Sequence, residues 1–152
     1  MSSDASSLVF LQYLSTVFDD IPDAILLVSA EPKDKHRLLL ANKGFTQCTG
    51  YKEVAVGKSI KDIVEPEAYH RLAKLYNKVA KNKEPGWFVE TITVPLGIQT
   101  YKIRLIPILN AVGECMQIAA IMQNVTELHD LRVKLAETSK TLEDLAKTLR
   151  RV

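Results

Sequence analysis

From Leu128 onward the apolar residues recur at intervals of three and four: Leu128, Leu131, Leu135, then Thr138, then Leu142, Leu145, Leu149 and Val152. That alternation has a period of 3.5 residues, which fits an α-helix and no strand. It commits the end of the chain to one helix with a leucine seam, broken only by Thr138, and with charged residues on its other faces. Such a seam needs a cover. A second copy in a coiled coil would supply one, and the chain's own sheet, with the helix folded back on it, would supply another. Because the heptad runs to the last residue, the helix is expected to continue in a longer protein. The change into it is abrupt: the β-like run "IAAIMQ" stops at Gln123, and Asn124-Val125-Thr126-Glu127 intervenes. Thr126 is expected to cap the helix, with Glu127 and Asp130 favouring its N-terminal dipole.

Ahead of this, a polar start leads into "SLVFLQYLSTVFDD" (7–20), where Leu11, Leu14 and Phe18 form one helical stripe and Phe10, Leu14 and Val17 another. This helix carries more apolar surface than one neighbour covers. Pro22 interrupts it, and short apolar runs over 24–29 and 37–42, joined by the polar turn "EPKDKH", read as a strand hairpin. Gly44, Gly50 and Gly57 divide the next stretch into short helices and turns. The segment 65–86 is the best-marked helix, with Pro66 in its first turn and lysines near its end. Its Ala68, Tyr69, Leu72, Leu75, Tyr76 and Val79 share a face, and His70 lies on the opposite one. Three β-rich segments follow, 87–95, 98–108 and 114–123, separated by turns at Gly97 and Asn110–Gly113.

The chain has 152 residues, 47% of them apolar, enough for one domain with its own core. A formal net charge of +2, with both signs interspersed, gives no footprint for nucleic acid or an anionic membrane. No basic leader precedes an apolar run, and no run approaches the roughly 20 apolar residues that span a bilayer, so a cytoplasmic protein is expected. Cys48 and Cys115 lie far apart and suggest neither a zinc site nor a disulfide. No catalytic motif or phosphate loop is present. Glu90, in mid-strand among apolar neighbours, keeps a small pocket enzyme in view; a cross-strand Lys102 or Arg104 is the expected partner that would close that reading.

Residues 18–127 resemble the PAS sensory domains. The resemblance rests on an ordered set, "IPDAILLV", "LLANKGFTQCTGYKEVAVGKSIKDIV", "EPEAYHRLAKLY" and "IPILNAVGECMQIAAIMQNVTEL". Within it Asn42, Phe45 and Thr49-Gly50-Tyr51 follow the family's N-x-x-F-x-x-x-T-G-Y pattern. "NVTE" stands where the family has Asp-Ile-Thr-Glu, the joint between the last strand and a signalling helix, so Asn124, Thr126 and Glu127 are the expected signal joint. The resemblance implies an α+β fold: a five-stranded antiparallel sheet with helices on one face and a small pocket. An N-terminal helix (1–20) precedes the domain (21–125), and a coiled-coil helix (126–152) follows it. It also implies a homodimer, joined through Leu11, Leu14 and Phe18 and through Leu128, Leu131, Leu135, Leu142, Leu145 and Leu149. The implied role is the input module of a signalling protein, with a histidine kinase as the first expectation for the output unit and a diguanylate cyclase or a DNA-binding domain next. A PAS module engaged only in protein contacts is the alternative.

Strand alternation places Tyr101, Ile103 and Leu105 on one face, opposite Lys102 and Arg104. It likewise places Met116, Ile118, Ala120 and Met122 opposite Gln117 and Gln123. With Phe45, Leu72 and Tyr76 from the helices, these form an apolar wall, either of a small-molecule pocket or of a filled core. Flavin-binding relatives need a reactive cysteine in G-x-N-C-R-F-L-Q. The matching "GKSIKDIV" has Ile60 there, and Tyr101 and Met122 stand where flavin-gripping amides would be, so no flavin is expected. Haem-binding relatives use a histidine on the long helix. His70 is on the polar face of that helix, His36 is in a turn and His129 is on the last helix, so three solvated histidines, no haem and no metal are expected.

Overall fold

In a computed structural model the described residues are 2–30, 36–52 and 55–151, without the side chains of 2–5 and 11. The turn at 31–35, Glu53 and Val54 of the glycine-punctuated stretch, the Leu11 side chain and Val152 lie outside the described residues. Helix α1 spans Ser2–Asp20 and β1 Ala24–Ser29, followed by β2 Leu38–Ala41, α2 Lys43–Thr49 and α3 Ile60–Ile63. Helix α4 is Pro66–Asn82, strands β3, β4 and β5 are Gly86–Val94, Gly97–Leu109 and Cys115–Asn124, and α5 is Thr126–Arg150. The polar start is helical from Ser2.

The strands form one antiparallel sheet in the order β2-β1-β5-β4-β3. The hairpin β1–β2 thus sits beside the last strand, and Ala24 at the start of β1 faces Met122 near the end of β5. Helices α2, α3 and α4 cover one face. The core between helices and sheet holds Val28, Leu38, Tyr101, Leu105 and Ile118 at its most buried points. Helix α4 contributes Ala68, Leu72, Tyr76 and Val79, the inward residues of the expected stripe. Fully burying a side chain such as Leu72 stabilises by about 1.5–3 kcal/mol relative to leaving it in water.

The N-x-x-F and T-G-Y residues have plain physical jobs. Asn42 Oδ1 accepts from the Phe45 N–H (3.1 Å) as the N-cap of α2 and from the Ile25 N–H (2.8 Å). Its Nδ2 donates to the carbonyls of Phe18 and Asp23, each at 2.9 Å. One buried amide thereby ties the end of α1, the start of β1 and α2 together. Gly44 lets α2 rest on that junction: a Cβ there would lie 2.2 Å from the Asp23 carbonyl oxygen. Gly50 ends α2 with φ 82°, a conformation that costs glycine nothing. Tyr51 then donates its hydroxyl to the Ile63 carbonyl (3.3 Å).

Candidate functional site

Two features could carry function, the interior under α2–α4 and the root of α5. In the interior, Leu26, Phe45, Ile60, Leu72, Tyr76, Ile103 and Met122 border an apolar cavity of about 40 Å³. Ligand pockets run to about 300–1,000 Å³, so this space is a packing gap. Of the wall residues chosen from the sequence, Phe45, Leu72, Tyr76, Ile103 and Met122 border the gap, while Tyr101, Leu105, Ile118 and Ala120 are buried elsewhere in the same core. Ile60 is buried as core. Tyr101 is fully buried and donates its hydroxyl to the Cys48 carbonyl (2.8 Å); burial pushes its phenol well up. Burial likewise pushes Tyr76 up to about 12.

Three side chains depart from expectation. His36 is not solvated: its left-handed backbone (φ 59°) turns the ring inward, 9% exposed, with its centroid 5.2 Å from that of Tyr76. Burial holds the imidazole below its ordinary pKa, opposed by hydrogen bonding with the Ser29 backbone and the Asn77 side chain, and Nδ1 has no hydrogen-bond partner among the described residues. His70 and His129 are exposed. Among the described residues no three His, Cys, Asp or Glu side chains converge as metal ligands. Glu90 is paired, but with Arg71 of α4 (Nε to Oε2, 3.0 Å) and not with Lys102 or Arg104. The reason is alternation: Glu90 is on the helix side of β3, whereas Lys102 and Arg104 project to the other side, over the Trp87 ring. Cys48 is partly buried, and burial first, then Asp23, pushes its thiol up, leaving it protonated and inert.

The third departure is at the joint. Thr126 does not cap α5, whose N-cap is Val125 with no side-chain bond. Asn124 does the local work, its Oδ1 accepting from the Thr126 N–H (3.0 Å), because an Asx side chain readily bonds the amide two residues on. Thr126 Oγ1 is instead turned to β4: it accepts from the Thr100 N–H (2.8 Å) and lies 3.0 Å from Gln99 Oε1 and 2.6 Å from Asn124 Oδ1. Asn124 Nδ2 also donates to Gln99 Oε1 (2.9 Å), and the Val125 N–H to the Thr100 carbonyl (2.8 Å). Asn in place of Asp thus keeps a polar anchor. Glu127 is exposed in the first turn. Gln99 and Thr100 were not singled out from the sequence; pairing the last two strands as a hairpin about Asn110–Gly113 would have brought them opposite the joint. Beyond it, α5 buries none of its residues, with Leu128 48%, Leu135 70% and Leu149 74% exposed. It does not fold back on the sheet. On α1, Leu14 is exposed and Phe18 partly buried.

A sheet closed by helices on one face over a filled core, with a helix rooted in its last strand, defines a sensory α+β module. The chain belongs to the PAS family, whose profile, described as the PAS fold, matches residues 18–130. A comparison with curated proteins finds no match. Among solved structures, an RNA-binding light-oxygen-voltage receptor superposes with TM-score 0.69 at 19% identity, over 91% of this chain and 39% of that one. This chain therefore spans about two fifths of that receptor. The PAS domain of a Colwellia psychrerythraea protein superposes with TM-score 0.66 at 18% identity, over 78% of this chain and 98% of that one. For the PAS domain of Bordetella pertussis BvgS the values are 0.61 and 23%, over 86% and 97%. At these identities the likeness is one of fold. Among the described residues no helix is long and apolar enough to cross a membrane.

Proposed function

We propose that this PAS domain is a dimerising sensory module of a cytoplasmic signalling protein, which passes the packing state of its core and sheet to a coiled coil formed by α5 of two copies. The observation that carries this reading is α5 itself: 25 residues with a 3,4 leucine spacing and no buried residue. A lone exposed helix of this kind is marginal in water, so its seam calls for a partner. The apolar stripe of α1, where Leu14 is 49% and Phe10 61% exposed, would join the same interface. As output unit we place a histidine kinase first, ahead of a diguanylate cyclase and a DNA-binding regulator, because a two-helix coil that changes its packing is an input a dimeric kinase can use. The small gap in the core favours signals that arrive by contact over a resident metabolite or cofactor. Glu90, ion-paired to Arg71, supports a regulatory and not a catalytic role.

Sedimentation of Leu135→Asp with Leu142→Asp tests the seam: the parent chain is expected to be a dimer and the variant a monomer, and an unchanged oligomeric state would sink the proposal. Native mass spectrometry of the parent is expected to give a dimer at bare chain mass. An additional few hundred daltons per chain would replace the contact reading with a metabolite sensor.

A further inference from the structure

We infer that Arg71 positions α5 from the far side of the sheet, through a hydrogen-bonded relay that runs from α4 across β3 and β4 to Thr126. The inference deepens the proposed function and rests on α5 being the output helix. Arg71 Nε donates to Glu90 Oε2 (3.0 Å) and Nη2 to the Thr91 carbonyl (3.3 Å). Thr91 Oγ1 is 2.9 Å from Thr100 Oγ1, and the Thr100 N–H donates to Thr126 Oγ1 at 2.8 Å. Each link follows from the sheet. Thr91 faces Thr100 in the register, and both backbone groups of Thr100 turn to the β5 side, where they meet Thr126 Oγ1 and the Val125 N–H. Thr91 and Thr100 are therefore a non-hydrogen-bonded pair, the kind whose side chains come closest. By the same alternation the Thr91 carbonyl points off the sheet edge, since β3 is the outermost strand, and Arg71 takes it.

Strand β5 ends at Asn124, opposite Tyr101, so Thr126 occupies the place where the next ladder bond would be. The root of α5 thus completes the sheet, and its seat depends on how β3 lies against β4. Arg71 fixes that from α4, one residue before Leu72, which borders the core gap. A shift of α4 over the core would move the Arg71 clasp on Glu90 and Thr91, and with it the Thr91–Thr100 contact. Contiguous networks of this sort carry coupling only if the links act in series, which is measurable.

The test is hydrogen–deuterium exchange of the full chain, read at the Thr100 and Val125 amides relative to those of β1. Arg71→Gln and Thr91→Val are each expected to speed exchange at those two amides about tenfold, the scale of one lost hydrogen bond. In series, the double variant does no more than either single one, and Thr91→Ser, which keeps the hydroxyl, restores the parent rate. Less than a twofold change in either single variant, or a double variant equal to the product of the two, overturns the relay. Repeating the measurement in the Leu135→Asp, Leu142→Asp background separates the two ideas. The relay lies within one chain, so it survives there even if the dimer does not form, and it can fail while the dimer stands.

Discussion

Helices α4 and α5 begin from similar sequence logic and end in opposite circumstances. Both carry an apolar stripe and acidic residues in the first turn, with basic residues in the last. Helix α4 closes Ala68, Leu72, Tyr76 and Val79 over the sheet, whereas α5 buries none of its leucines. Amphipathic spacing therefore states that a face will be covered without stating by what. The difference lies in the approach: α4 is held over the sheet through α3 and β3, while among the described residues α5 is held at its root, by Asn124, Val125 and Thr126.

The contrast between the helices would fail if their stripes contributed alike to the stability of the single chain. The largest effect is expected from Leu72→Ala in α4, which should cost about 2–5 kcal/mol in urea unfolding through lost transfer energy and a cavity. Asn42→Ala comes next, at about 1–3 kcal/mol, since it leaves partly buried backbone groups of α1, β1 and α2 without their side-chain partner. His36 gives a smaller, pH-dependent effect. Its folded-state pKa lies below the ordinary 6.5, so the unfolded chain takes up a proton more readily than the folded one as pH falls. The stabilisation is complete above about pH 6.5 and declines below it. A shallower acid slope in His36→Gln, with the burial of the ring as its cause, is the expected result; an unchanged slope would assign the decline to other groups. Least affected is Leu142→Ala in α5, expected to fall within about 0.5 kcal/mol of the parent for the monomer at high dilution.

Much of this was legible in the residues. The period of 2 in β4 and β5 picked out Tyr101, Ile103, Leu105, Met116, Ile118, Ala120 and Met122 as inward-facing, and all are buried except Met116, which is partly exposed. The best-marked helix and its face were visible for the same reason, that local periodicity and burial coincide. What stayed hidden depends on contacts distant in sequence. Arg71 reaches Glu90 across 19 residues of chain, and Thr126 reaches Thr100 across 26. His36 was hidden by backbone conformation, because a polar turn gives no sign that a left-handed residue will point its ring inward. The volume of the gap under α4 is set by interlocking rotamers, which hydrophobic pattern does not encode.

The antiparallel register of β1 with β5, which sets Ala24 against Met122, has a mechanical meaning. The chain enters β1 from α1 and leaves β5 into α5 at the same end of two neighbouring strands. Tension applied between the two helices would therefore fall on the first of the paired rows and peel the strands apart row by row, where a parallel arrangement would load every row at once in shear. A domain threaded this way is a clasp and not a cable: it yields at low force, and its resistance to traction is expected to depend on the Asn42 knot at the foot of α1 more than on the size of its core.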